Sequence, residues 1–195
     1  MSCEEGAEAR RRKNAQDVAR AIEREGKIRQ VLFVVAHQDC DAVEPAHLEV
    51  SERIERGLAR VGVPIVAAAP AYEMEAWLYQ WPDAVSGVNR AWRRLRIVAE
   101  PGKIERAKQQ LIRELRPQGA RRTPDYAESD AARIVRKAIE MGELWEPKAR
   151  AKSYVYFVDR LNAVARVISQ RLSHGAVAAL ASSAELGSPC AQIPE

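Results

Sequence analysis

Val31-Leu32-Phe33-Val34-Val35-Ala36 runs straight into His37-Gln38-Asp39-Cys40-Asp41, and further on Val63-Pro64-Ile65-Val66-Ala67-Ala68-Ala69 runs into Pro70-Ala71-Tyr72-Glu73-Met74-Glu75-Ala76-Trp77. A short, continuous, β-branched run reads as a strand buried on both faces, and such strands belong to parallel sheets covered by helices. Between the two runs, Leu48, Ile54, Leu58 and Val61 recur at helical spacing, from a start at Pro45 or Ala46 to a stop at Gly62. A strand, a helix and a parallel strand with this spacing form a right-handed crossover. Ligands of open parallel sheets bind outside the carboxyl ends of the strands. Both carboxyl ends here empty into acids, so Asp39, Asp41 and Glu75 are expected on one edge.

The rest of the chain reads mainly as helices. Ala15, Val18, Ala19 and Ile22 share a helical face before Gly26. Tyr72 to Trp81 reads as a helix closed by Pro82, with Trp77 and Trp81 on one face. Trp92 to Val98 fits an edge strand or a helix end equally well. Ile104, Ala107, Leu111 and Leu115 form the stripe of a helix with Pro101 near its first turn; Ala131, Ile134, Val135 and Ala138 form another, capped by Ser129 or Asp130 and stopped at Gly142. From Ser153 to Leu172 runs the longest amphipathic pattern, with its end expected at Gly175. The expected architecture is α/β: a mostly parallel, Rossmann-like sheet flanked by helices, with a helical C-terminal part. Residues 1–100 form the α/β core, 101–175 a helical part packed on it, and 176–195 a flexible tail.

The 195 residues are 47% hydrophobic and 30% charged, which is ordinary for a globular chain. No apolar run approaches the roughly 20 residues of a membrane span, and the start carries no signal-peptide core, so a cytoplasmic location without membrane partners is expected. A net charge of +4 is compatible with a polyanionic partner without requiring one. Cys3, Cys40 and Cys190 show neither zinc spacing nor a disulfide framework and read as free thiols. There is no Gly-x-Ser-x-Gly elbow, phosphate-binding glycine loop, dinucleotide fingerprint or His-Glu-x-x-His pair.

The order strand, acidic turn, helix, strand, then Glu73-Met74-Glu75-Ala76-Trp77-Leu78 resembles the TOPRIM-fold proteins of the OLD and RloB-like group. The resemblance extends through Pro101-Gly102-Lys103-Ile104-Glu105, Ala107-Lys108 and Tyr126 to Ile139. It implies a divalent-metal-dependent nuclease acting on nucleic-acid phosphodiester bonds, in a setting such as anti-phage defence, with Mg2+ or Mn2+ as cofactor. It also implies an ATPase as a protein partner, and hence an alternative: a catalytically degenerate scaffold that binds such a partner. TOPRIM folds begin with a strand ending in a catalytic glutamate. Cys3 to Glu8 resembles a remnant of that turn, with Glu5 as the glutamate and no room for a strand before it. Either the natural start lies upstream of Met1, the reading favoured here, or the fold is trimmed.

Two registers are open for the acidic turn. Asp39-Cys40-Asp41 has the Asp-x-Asp spacing; the other register aligns His37-Gln38-Asp39 with it and makes His37 a metal ligand in place of the first acid. Magnesium takes one or two carboxylates plus water and substrate oxygens, whereas histidine suits zinc, manganese or iron better. Glu75, rather than Glu73, matches the family glutamate, although an acid in a first helical turn also has an ordinary dipole explanation. Arg121 and Arg122, in a basic loop with Arg113 and Arg116, are candidate phosphate contacts, as is Lys108; a solvated charge run and an exposed helical lysine are the plain alternatives. Trp77 reads as core more than as a base-stacking platform.

Overall fold

The computed structural model describes residues 3–117 and 125–185, with side chains over 13–117 and 125–173. In chain order the elements are α1 (Cys3–Gly26), β1 (Val34–His37), α2 (His47–Leu58), β2 (Ile65–Ala68), α3 (Glu75–Leu78), α4 (Pro82–Val88), α5 (Ala107–Leu115), α6 (Ala131–Glu140) and α7 (Lys152–Glu185). The fold is mixed α/β and mostly helical, around a two-stranded parallel sheet in which Val34 faces Ile65 and His37 faces Ala68. Among the described residues no helix is long and apolar enough to cross a membrane.

The two apolar runs have different fates. β2 is buried along its whole length, with α2 and α7 both packed against it. β1 alternates, with Val34 and Ala36 half-buried but Val35 and His37 exposed. Leu32 and Phe33 are exposed as well. Burial on both faces thus holds for β2 and fails for β1, because α1 packs on α2 and the turn after it and leaves one face of β1 uncovered. The Val34 N–H donates to Pro64 O at 2.9 Å and the Gln38 N–H to Ala68 O at 3.1 Å. In a parallel pair the amides alternate in direction, so those of Val35 and His37 face an edge that carries no strand among the described residues.

Local differences from the sequence reading have local causes. Cys3 to Glu8 lies inside α1 and is not a turn. The helix expected over Tyr72 to Trp81 is only the four residues of α3; Tyr72 is left-handed at φ 60° and Trp81 is non-helical at φ −122°. Pro82 opens α4 instead of closing a helix, as a proline at the first helical position can. The Ala84 N–H in that first turn donates to Glu143 Oε2 at 2.8 Å. Pro101 sits in a separate 3-10 turn ahead of α5. Gly142 stops α6 in the left-handed region at φ 74°. Gly175 does not stop α7, which continues to Glu185; an interior glycine costs only about 1 kcal/mol against alanine, and helix formers surround it. Of the expected tail, residues 176–185 are helical backbone and residues 186–195 lie outside the described part.

Trp92 to Val98 is neither strand nor helix. Trp92 and Leu95 point inward while Arg93, Arg94 and Arg96 are exposed. The segment is fixed by the Arg93 N–H on Leu115 O at 2.8 Å and the Leu95 N–H on Ser86 Oγ at 2.9 Å.

One large hydrophobic cluster joins Leu78, Tyr79, Trp81, Val85, Trp92 and Leu95 to Ile104, Leu111, Leu115, Tyr126 and Ile134, so a single core draws on both sides of residue 100. A smaller cluster of Ala68, Trp77 and Ala151, with Met74, Tyr154 and Phe157 against it, seats α7 on β2. Trp77 stacks on Phe157 with centroids 5.4 Å apart and donates its indole N–H to Ser153 Oγ at 3.0 Å. It is a core residue. Each large side chain buried this way contributes roughly 2–3 kcal/mol.

Candidate functional site

The turns that leave β1 and β2 stay hydrogen-bonded to one another beyond the strands. The Cys40 N–H donates to Pro70 O at 3.2 Å, in the same register as Val34 on Pro64 and Gln38 on Ala68. At the next step the register slips by one: the Asp41 N–H donates to Tyr72 O at 3.2 Å, and the Tyr72 N–H returns to Ala42 O at 2.7 Å. Both residues at the slip are left-handed, Asp41 at φ 53° and Tyr72 at φ 60°. Asp tolerates that region, whereas for Tyr it costs on the order of 1–3 kcal/mol. The zipped turns carry the Asp39 turn to the start of α3 and its glutamates.

Glu73 is half-buried, and burial, with the charges of Glu75 and Asp39 added, pushes its carboxyl above the usual range; a hydrogen bond from the Lys108 backbone acts against this. Glu75 opens α3 and is buried, 6% exposed, where its Oε1 accepts the Tyr126 hydroxyl at 3.1 Å. Burial and the neighbouring Glu75 push the Tyr126 phenol up, so it stays a donor. Lys108 pairs with Glu128, and the charges of Glu75 and Glu73 also reach it. Asp39, Glu73 and Glu75 therefore share one edge, with Lys108 as its cation.

The remaining candidates stand differently. His37 Nε2 lies 3.1 Å from Asp39 Oδ1, and that hydrogen bond raises the imidazole above its ordinary value. A metal ligand must be neutral imidazole, so this pairing works against His37 as a ligand. Asp41 is exposed, and its charge bears on Cys40. The Cys40 thiol is pushed up to about 11, first by burial and then by Asp39, which makes it a poor nucleophile at neutral pH. Glu5 lies in α1 with its side chain outside the described part, as are Arg121 and Arg122 entirely. Among the described residues no group of three or more His, Cys, Asp or Glu is drawn together closely enough to hold a metal ion.

Two features escaped the sequence reading. Glu73, set second to Glu75, is the more open of the two glutamates; the signal was the apolar Ala76-Trp77-Leu78 that follows Glu75 and draws it inward. The other is the set of arginines on the Trp92 to Val98 segment, whose alternation becomes legible only once Trp92 and Leu95 are known to be buried. Comparison with protein-family models, curated proteins and solved structures gives no match.

Proposed function

We propose that this edge is the working site of a TOPRIM-like protein that acts on nucleic-acid phosphodiester bonds with Mg2+ or Mn2+. The observation that carries the reading is the hydrogen-bonded zipper between the two turns, which sets Asp39 beside the glutamates of the second. The donor set fits a hard cation: it is all carboxylate oxygen, and the crowding that raises Glu73 is relieved by a positive ion. Asp39 and Glu73 would hold the ion, with Glu75 behind them oriented by Tyr126. Two carboxylates satisfy magnesium's usual protein share, so a group of three is not required. When bound, such an ion polarises a phosphate and lowers the pKa of water. The chain's own part is to orient the carboxylates, while Lys108 offsets their charge.

Calorimetric titration of Mn2+ and Mg2+ into metal-free protein tests this directly. Wild type should give saturable heat that is absent from Asp39→Ala/Glu73→Ala, and cleavage of a labelled oligonucleotide should disappear in the same variant. A folded wild type that gives no heat with either ion overturns the reading. What then remains is the non-catalytic scaffold that the resemblance carries, with an ATPase as its partner.

A further inference from the structure

A second surface lies on another side of α5. Gln110, Arg113 and Glu114, spaced to share a helical face, form one wall of an open cleft of about 460 Å³; Arg93, Arg94 and Arg96 form the other. The wall is built: Trp92 and Leu95 anchor it in the core, and the two backbone hydrogen bonds to Leu115 and Ser86 fix its course. Two of the four guanidiniums are held in place. Arg96 Nε donates to Glu114 Oε1 at 2.9 Å, and Arg94 pairs with Asp83 at 3.1 Å. Arg93 and Arg113 are exposed and have no carboxylate partner among the described residues.

Behind these side chains lies an unsatisfied buried group. Tyr79 is fully buried, and its hydroxyl has no hydrogen-bond partner among the described residues. It lies in electrostatic reach of Glu114, Arg96 and Arg113, all three of which line the cleft. Glu114 Oε2 is likewise buried and unpartnered, although its Oε1 receives both Arg96 and Gln110. A buried hydroxyl without a partner is costly, about 1–3 kcal/mol.

We propose that this cleft binds the phosphodiester backbone of a nucleic acid, with Arg93 and Arg113 closing on a phosphate. Guanidinium forks match phosphate oxygens in pairs, and backbone phosphates are what bring arginines into nucleic-acid interfaces. From Lys108 to Arg113 is about 7.5 Å along α5 and about 140° around it, so the cleft is distinct from the acidic edge and holds a strand at a second point. The choice of ligand rests on the nucleic-acid reading of the acidic edge, but the binding does not depend on a metal.

The test is fluorescence anisotropy of labelled single- and double-stranded oligonucleotides in EDTA. Arg93→Glu/Arg113→Glu should lose at least about tenfold in affinity, and its slope of log K against log salt should flatten by about 1.4 to 1.8, two phosphate contacts' worth. The control, Arg20→Glu/Arg56→Glu, reverses two exposed arginines on α1 and α2 and should keep wild-type affinity. Equal loss in control and cleft variant, or no loss in either, overturns the proposal. Because no metal is present, failure here is separable from failure of the acidic edge in calorimetry.

Discussion

The carboxylate of Glu44 accepts the backbone N–H of Ser153 at 2.8 Å, a bond between residues 109 apart in sequence. It ties the turn after β1 to the first turn of α7, where a carboxylate is favoured by the helix dipole. Ser153 Oγ in turn accepts the Trp77 indole N–H. The Glu44 N–H donates to Gly102 O at 2.9 Å and Lys103 Nζ to Glu44 O at 2.8 Å. A Cβ at position 102 would overlap the Glu44 carboxyl.

Gly102→Ala should therefore destabilise the fold by expelling Glu44 from Ser153, by about 1.5–3 kcal/mol, the worth of a hydrogen bond to a charged group. Glu44→Ala should cost a similar amount. In the Glu44→Ala background the further cost of Gly102→Ala should vanish, as a double-mutant cycle by urea unfolding reads out. Additive costs would show that the two residues do not act through one another.

His47 opens α2 and is buried, 3% exposed, with its ring edge-on to Tyr156 and Nδ1 unpartnered among the described residues. Burial lowers its pKa; Glu44 acts to raise it and Lys152 to lower it further. With the folded value depressed, the unfolded chain binds the proton first. The stability from neutral His47 is full above its unfolded value of about 6.5 and is lost as pH falls below that toward the folded value. Thermal unfolding from pH 7.5 to 5 should show wild type losing more stability than His47→Asn. Parallel curves would mean that His47 does not titrate on unfolding.

The uncovered face of β1 carries Val35 beside an edge without a strand among the described residues; Leu32 and Phe33 just ahead of the strand are exposed too, and no charge occurs from Val31 to Ala36. Exposed apolar edges of this kind are templates for self-association, and a lysine on such an edge blocks it. Val35→Lys should lower concentration-dependent light scattering while leaving the melting temperature within a few degrees. Increased scattering would show that Val35 is needed inside the fold.

Much of this architecture is legible in the sequence because periodicity reports burial within an element. The stripes at Ala107, Leu111 and Leu115 and at Ile134 and Ala138 are buried as the spacing predicts. Periodicity says nothing of how many neighbours an element has, and so Val31 to Ala36 could not be told from a central strand. The acidic edge is partly legible for the same reason. Strand ends place Asp39 and the glutamates together, but only the partner chosen by each carboxylate separates the buried Glu75 from the open Glu73. The arginine cleft depends on an irregular segment that obeys no period.

The large cluster from Ala76 to Ala138 does not include Val50, Leu58, Ile65 or Val66, which are buried outside it. The amino-terminal third is thus held mainly through β2, α2 and the Glu44 latch. Such a chain opens in stages. In deuterated buffer the β1 amides should exchange first, through local excursions that leave α5 and α6 intact, and the amides of Leu111 and Ile134 should exchange only on global unfolding. Asp39 rides on the part that opens early and Glu75 on the part that opens last, so the acidic edge exists only while both are closed.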